Sequence, residues 1–173
     1  MKTEIKILVA ATCATALLFM AGCAQKGNRD AIEKVLRAKT ESINKTGTVE
    51  SIREMFSPDY VFHSPGNPDA KGLDAYIANL KTSDATFRPG FPDYRLNIVD
   101  MVIGDNKAMV HYNITATHKG TFAGVPATGK SINMASIYLY RFENGKLVEG
   151  TEVVVDRMGL MQQLGAIPAP QSK

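Results

Sequence analysis

The order of apolar and polar positions predicts helices in the first half of the chain and strands in the second. Four apolar residues recur at the spacing of one helix face near the start: Ile32, Val35, Leu36 and Ile43. Residues 30–44 are therefore predicted to form an amphipathic helix. The same spacing predicts shorter helices over residues 48–55 and 72–80.

The remaining segments are punctuated by turn residues and by long runs with strand character. We predict turns at residues 57–59 and 64–68, a short strand at 60–63, and a loop at 83–93. Longer strands are predicted at residues 94–103, 107–119 and 131–142, and a fourth follows the Asn144-Gly145 hairpin. A last helix, residues 157–164, should end at Gly165. This order predicts an α+β domain whose curved antiparallel sheet wraps over the helices and leaves a cavity between them.

The first 22 residues have the pattern of a signal peptide. Lys2 and Lys6 precede an apolar run over residues 7–20, which is shorter than the ~20 residues that cross a bilayer. The run ends in Met20-Ala21-Gly22-Cys23, which resembles the lipobox of bacterial lipoproteins. That resemblance implies cleavage before Cys23 and acylation of this cysteine; an ordinary secretory signal or an uncleaved anchor is the alternative.

The expected organisation is a signal peptide (1–22), a lipidated tether (23–29), one domain (30–168) and a short tail (169–173). Acyl chains on Cys23 would hold the protein at the bacterial cell envelope, on the periplasmic side. Ala24 after the cysteine favours the outer membrane if the organism is Gram-negative. Cys13 would leave with the signal peptide, so the domain itself is expected to have no disulfide.

Composition and motifs exclude several classes of function. The net charge is +3 on 20 basic and 17 acidic residues that are scattered along the chain, which argues against nucleic-acid binding. Three widely spaced histidines do not predict a metal site. No phosphate-binding loop or nucleophile elbow is present. We therefore expect neither metal nor cofactor.

Asp156 is the strongest candidate for chemistry because it directly follows the apolar run Val153–Val155. A carboxylate buried beside such a strand has its pKa raised, and it can then take and return a proton. The alternative is that Asp156 only caps the last helix. Strand parity places His118 on the apolar face of its strand and His111 on the polar face.

Several blocks of sequence resemble the SnoaL-like polyketide cyclase family, also labelled ester cyclase, of the NTF2-like superfamily. The blocks are residues 59–65, 91–93, 117–130 and 145–149, followed by Asp156 and residues 159–165. The resemblance implies a cone-shaped α+β fold, often dimeric, that closes rings on carbonyl substrates by cofactor-free aldol chemistry. It implies that Asp156 is the general acid/base and that His63 and His118 face the pocket. We expect Phe91, Tyr112 and Tyr138 to bind substrate together with these two histidines.

The chain departs from the family pattern just before Asp156. Thr151 stands where the family has tryptophan, and one extra residue separates it from Asp156. That residue predicts either a β-bulge or a change of face that alters where Glu152 and Asp156 point. Three functions remain open: a cyclase or isomerase acting on a small carbonyl compound, a lipoprotein that only binds a small apolar ligand, and a domain that docks a partner protein.

Overall fold

The computed structural model describes residues 27–168, which form three α-helices and a six-stranded sheet. Between these residues, no helix is both long and apolar enough to cross a bilayer. The described residues do not include the predicted signal peptide, the predicted lipidation site Cys23, most of the tether, or the tail. The elements, in chain order, are α1 (27–46), a 3-10 helix (Glu50–Met55), β1 (Phe56–His63), β2 (Ala70–Lys71), α2 (Leu73–Phe87), β3 (Arg95–Ile103), β4 (Lys107–Thr117), β5 (Ser131–Glu143), β6 (Lys146–Val155) and α3 (Arg157–Leu164).

The sheet has the strand order β2-β1-β6-β5-β4-β3 and is curved and unclosed. Its pairs are antiparallel except that β1 runs parallel to β6, so the sheet is mixed. Burial alternates along β4, where Ala108, Val110, Tyr112, Ile114 and Ala116 all face the core. The predicted α+β class and the curved sheet over helices are confirmed.

Two side-chain amides bind the helices to strand backbones. Asn44 at the end of α1 accepts the N–H of Leu96 at 2.7 Å and donates to the same residue's carbonyl at 2.8 Å. Gln163 on α3 does the same for Asn133 on β5, with both contacts at 2.8 Å. Each amide satisfies backbone groups that a neighbouring strand would otherwise satisfy.

Two predictions in the first half are wrong. Helix α2 continues to Phe87, whereas the sequence predicted its end at residue 80 and a loop from 83. Nothing in residues 81–87 breaks a helix, and the chain turns only at Pro89-Gly90. The turn predicted at residues 57–59 is part of β1, because this strand lies near the sheet edge and has an irregular register between Phe56 and Val61 that accommodates Pro58.

The second half follows the prediction closely, and β6 carries the irregularity expected before Asp156. Ile137 pairs with Val154, but the next residue, Tyr138, pairs with Glu152. Val153 is therefore the extra residue of a β-bulge. Beyond the bulge, β6 ends at Val155 and α3 begins at once.

Candidate active site

A cavity of about 450 Å³ lies between the concave face of the sheet and the helices. This volume is in the range of small-molecule sites, ~300–1,000 Å³. Every large element contributes to its wall, from α1 and α2 to the four long strands and α3. Its described lining includes Lys39, Phe62, Tyr76, Phe87, Tyr112, Phe122, Tyr138, Tyr140, Glu152, Val155, Arg157 and Leu160.

Tyrosines form much of the cavity wall and bring hydroxyl groups into an apolar space. Tyr112 and Tyr138 meet edge to face at 5.7 Å, and Tyr138 stacks on Tyr140 at 6.1 Å. Burial raises the pKa of the Tyr138 and Tyr140 hydroxyls well above their usual range, and that of Tyr94 to about 12. At neutral pH these hydroxyls stay protonated, so they are suited to donate hydrogen bonds to a ligand oxygen.

Two ion pairs complete the polar part of the lining. Glu152 accepts from the Arg157 guanidinium at 3.0 Å, and its side chain is only 13% exposed. On α2, Arg88 contacts both carboxylate oxygens of Asp84, at 2.6 to 3.0 Å. The hydrogen bond that Arg88 donates to Asp84 raises the pKa of Arg88, so that guanidinium remains charged.

The bulge at Val153 determines which acidic residue faces the cavity. Glu152 lies directly opposite Tyr138 and lines the cavity, and Val155 returns to the same face after the bulge. Asp156 is exposed and accepts the N–H of Gly159 at 2.8 Å as the N-cap of α3. The structure thus gives Asp156 the capping position that the sequence left open, and places Glu152 in the cavity.

Of the five other residues predicted to bind substrate, Tyr112 and Tyr138 line the cavity. His118 is fully buried, as strand parity predicted, but it stacks on Phe91 at 5.1 Å and its Nδ1 lies 3.0 Å from the Thr128 hydroxyl. Neither His118 nor Phe91 belongs to the cavity lining. Both side chains instead attach β4, the strand before the 120–130 loop, to the core.

His63 is on a different face of the molecule. Its Nδ1 lies 2.9 Å from Asp69 and its Nε2 lies 3.2 Å from Glu149. Glu149 also accepts from Arg141 at 2.7 Å, and that hydrogen bond lowers the pKa of Glu149. These charges surround a separate depression of about 440 Å³. His63 therefore belongs to an ion-pair network and not to the aromatic cavity.

A third depression, of about 680 Å³, opens between α1 and β3. It is lined mainly by charged and polar side chains, including Arg37, Glu41, Lys45 and Arg95, and lacks the aromatic wall of the first cavity. Within residues 27–168, no group of three or more His, Cys, Asp or Glu side chains is arranged to hold a metal ion. The aromatic cavity is therefore the best candidate for the functional site.

The sequence analysis missed Lys39, which lines the cavity and is 3% exposed. A signal was present, because residue 39 falls on the helical face that also carries Ile32, Leu36 and Ile43. The sequence analysis also did not predict Glu152 as a site residue. Which side chains of β6 face inward can be assigned only once the bulge is located.

An aromatic cavity under a curved sheet is typical of α+β proteins that hold small molecules. The chain matches the SnoaL-like polyketide cyclase family over residues 33–164, and it belongs to that family. Among curated proteins, none matches this chain.

Solved structures share the fold at low sequence identity. IdmH, a candidate polyketide cyclase from Streptomyces antibioticus, is 26% identical, with a TM-score of 0.66 over 77% of this chain and 97% of its own. A candidate polyketide cyclase from Acidithiobacillus ferrooxidans is 26% identical, with a TM-score of 0.65 over 79% and 95%. AclR, a candidate hydroxylase from Streptomyces galilaeus, is 24% identical, with a TM-score of 0.64 over 80% and 83%. Proteins that share this fold thus bear names that indicate different reactions.

Proposed function

We propose that this protein binds a small carbonyl compound in the aromatic cavity and transfers a proton to or from it, without a cofactor. The observation that carries the proposal is the pair of Glu152 and Tyr138, a carboxylate and a phenol directly opposite each other on the cavity wall. Such proton transfer beside a carbonyl begins both an aldol ring closure and an isomerisation.

In this proposal Glu152 is the proton acceptor. Its side chain lines the cavity, is only 13% exposed and contacts the Arg157 guanidinium at 3.0 Å. Removal of a proton from the carbon next to a carbonyl moves charge onto the carbonyl oxygen. The Tyr138 hydroxyl, kept protonated by burial, would donate a hydrogen bond to that oxygen.

The competing assignment is Asp156, which the family resemblance implies. We give the role to Glu152 because the Asp156 carboxylate is exposed and already accepts the N–H of Gly159. The two residues make a matched comparison. Glu152→Gln removes the base from the cavity, whereas Asp156→Asn keeps a side chain that still caps a helix.

The test follows deuterium exchange at the methyl group of acetophenone in D2O by NMR. Wild-type protein should accelerate exchange over buffer, Glu152→Gln should lower the protein-dependent rate by about 100-fold or more, and Asp156→Asn should leave it nearly unchanged. Loss of exchange in Asp156→Asn alone would return the role to Asp156. Binding of acetophenone with no acceleration would make the protein a ligand-binding module.

We further propose that the chain is a lipoprotein of the bacterial envelope, anchored on the periplasmic side through Cys23. Its support is the apolar segment that ends in small residues before this cysteine. Cells expressing the full chain should incorporate an alkyne-labelled fatty acid into it, and Cys23→Ser should abolish the label. Labelling that survives this substitution would refute the anchor.

We also propose a homodimer formed through the outer face of the sheet. A row of paired apolar side chains crosses β3, β4 and β5 at Val102, Met109 and Leu139, each at least 40% exposed. Leu139→Asp should lower the mass in analytical ultracentrifugation to that of a monomer. Met158→Asp, at an exposed position of α3, is the control and should leave the dimer intact. A wild-type monomer at high concentration would contradict this proposal.

A further inference from the structure

Lys39 is a buried amine that the proposed proton transfer does not use. Among the residues that the structure describes, it is the only Lys, Arg, Asp or Glu that is buried. Its Nζ lies 3.1 Å from the Tyr140 hydroxyl, and 5.1 Å and 5.9 Å from the ring centres of Tyr140 and Tyr138. The amine therefore sits against the aromatic wall, with its side chain in the cavity lining.

No carboxylate of residues 27–168 is paired with Lys39. The two acidic side chains of the lining are taken, Glu152 by Arg157 and Asp84 by Arg88. Burial alone lowers the pKa of Lys39 to about 7. A large fraction of its amine is therefore unprotonated at neutral pH, in contrast to an exposed lysine.

A purely structural role does not account for this arrangement. A long lysine side chain near a surface places its ammonium in water, and a buried one normally has an anionic partner. The Lys39 amine has neither access to water nor an anionic partner. A methionine would fill the same space on the apolar face of α1 without the cost of desolvation. An uncharged amine in a cavity is instead the chemical requirement for attack on a carbonyl carbon.

We propose that Lys39 is a nucleophile that forms an imine with an aldehyde or ketone held in the cavity. This inference rests on the proposed carbonyl ligand and narrows it to aldehydes and ketones, since esters and acids do not give a stable imine. The Nζ lone pair forms a bond to the carbonyl carbon while the C=O π electrons move to oxygen, which takes up a proton. The carbinolamine then expels that oxygen as water and leaves the C=N bond.

The protons in this step have a carrier. The Tyr140 hydroxyl at 3.1 Å is placed to accept the proton that Nζ releases and to pass a proton on to the departing oxygen. Amine and carbonyl compound give imine and water, so no oxidant or reductant is consumed. Protonation of the imine nitrogen gives an iminium ion, in which the neighbouring carbon loses its proton more readily than in the ketone. This would assist Glu152.

The test is reductive trapping of the wild-type full chain in detergent with benzaldehyde and sodium cyanoborohydride at neutral pH. Peptide mapping should find the benzyl group on Lys39 in at least tenfold higher yield than on exposed lysines such as Lys81, whose side chain is 60% exposed. Excess acetophenone should protect Lys39. Lys39→Met should lose the adduct, and Lys81→Met should not.

Modification of exposed lysines with Lys39 unmodified would overturn the inference. Because the mapping is done on wild-type protein, that result does not depend on how a variant folds. Binding of benzaldehyde without reductant, followed through shifts of tyrosine NMR signals, separates two failures. Binding without trapping at Lys39 overturns the imine alone, whereas absence of binding overturns both the imine and the proposed carbonyl site.

Discussion

The buried amine makes a quantitative prediction about folding stability and pH. The pKa of Lys39 is about 7 in the folded protein and 10.5 as its ordinary value. Between these values the unfolded chain binds more protons than the folded one, so the free energy of unfolding rises as pH rises. For one such group the increase between pH ~7 and pH ~9 is about 2 kcal/mol, at 1.36 kcal/mol for each pKa unit.

The perturbation is Lys39→Met, which keeps an unbranched side chain on the apolar face of α1 and removes the titrating group. At neutral pH the variant should be stabilised, because it has no buried ammonium to desolvate. It should also lose the contact with Tyr140. The stabilisation should shrink as pH rises, because wild-type protein sheds its proton. The informative quantity is the slope of the stability difference between variant and wild type against pH, and not the sign of that difference at one pH.

The assay is urea unfolding followed by circular dichroism from pH ~6 to ~9, on wild-type protein, Lys39→Met and the exposed control Lys81→Met. This range stays below the titration of the tyrosines, whose pKa values burial raises. Subtracting the variant from wild type at each pH cancels the remaining shared groups. A difference between wild type and Lys39→Met that is constant with pH would refute an uncharged Lys39, and would weaken the case for an amine nucleophile.

Three further substitutions test how the site is held. Asn44→Ala should cost about 2 kcal/mol, because it removes two hydrogen bonds to the backbone of Leu96, and amide exchange should rise selectively in β3; unchanged protection there would contradict this. Gly150→Ala should lower the unfolding free energy by ~1–3 kcal/mol, since its Cβ would overlap the Tyr60 hydroxyl, and thermal melting that matches wild type would show that the Tyr60 side chain can shift. Asp156→Ala should cost ~1 kcal/mol in urea unfolding through the lost N-cap, yet leave acetophenone exchange intact; unaltered stability would dispute the cap.

The long strands and the last helix could be predicted because local signals there agree with tertiary structure. In β4 the apolar positions alternate without interruption, so parity alone placed His118 in the core and His111 on the outer face. The end of α3 was equally clear, because Gly165 adopts φ 82°, a left-handed conformation that glycine accepts readily.

The wrong turn at residues 57–59 and the misplaced His63 arose where pairing between distant strands decides the outcome. Ser57-Pro58-Asp59 has the composition of a turn, yet it runs as strand because β6 pairs with β1 on either side of an irregular register. His63 ends the same strand, and one of its two partners, Glu149, comes from a segment distant in sequence. No local pattern reports such pairs.

The two residues that we place at the centre of the chemistry are those that violate the local rules of their elements. Lys39 is a charged residue on an apolar helix face, and Glu152 is an acid on the inward face of a strand that then bulges at Val153. Each violation costs stability and is expected where function requires it. The sequence search instead favoured Asp156, because an acid at the end of an apolar run is conspicuous. That position also suits a helix cap, where the carboxylate finds an N–H partner at little cost, so an acid beside a helix start is weaker support for catalysis than a charge on a face that should be buried.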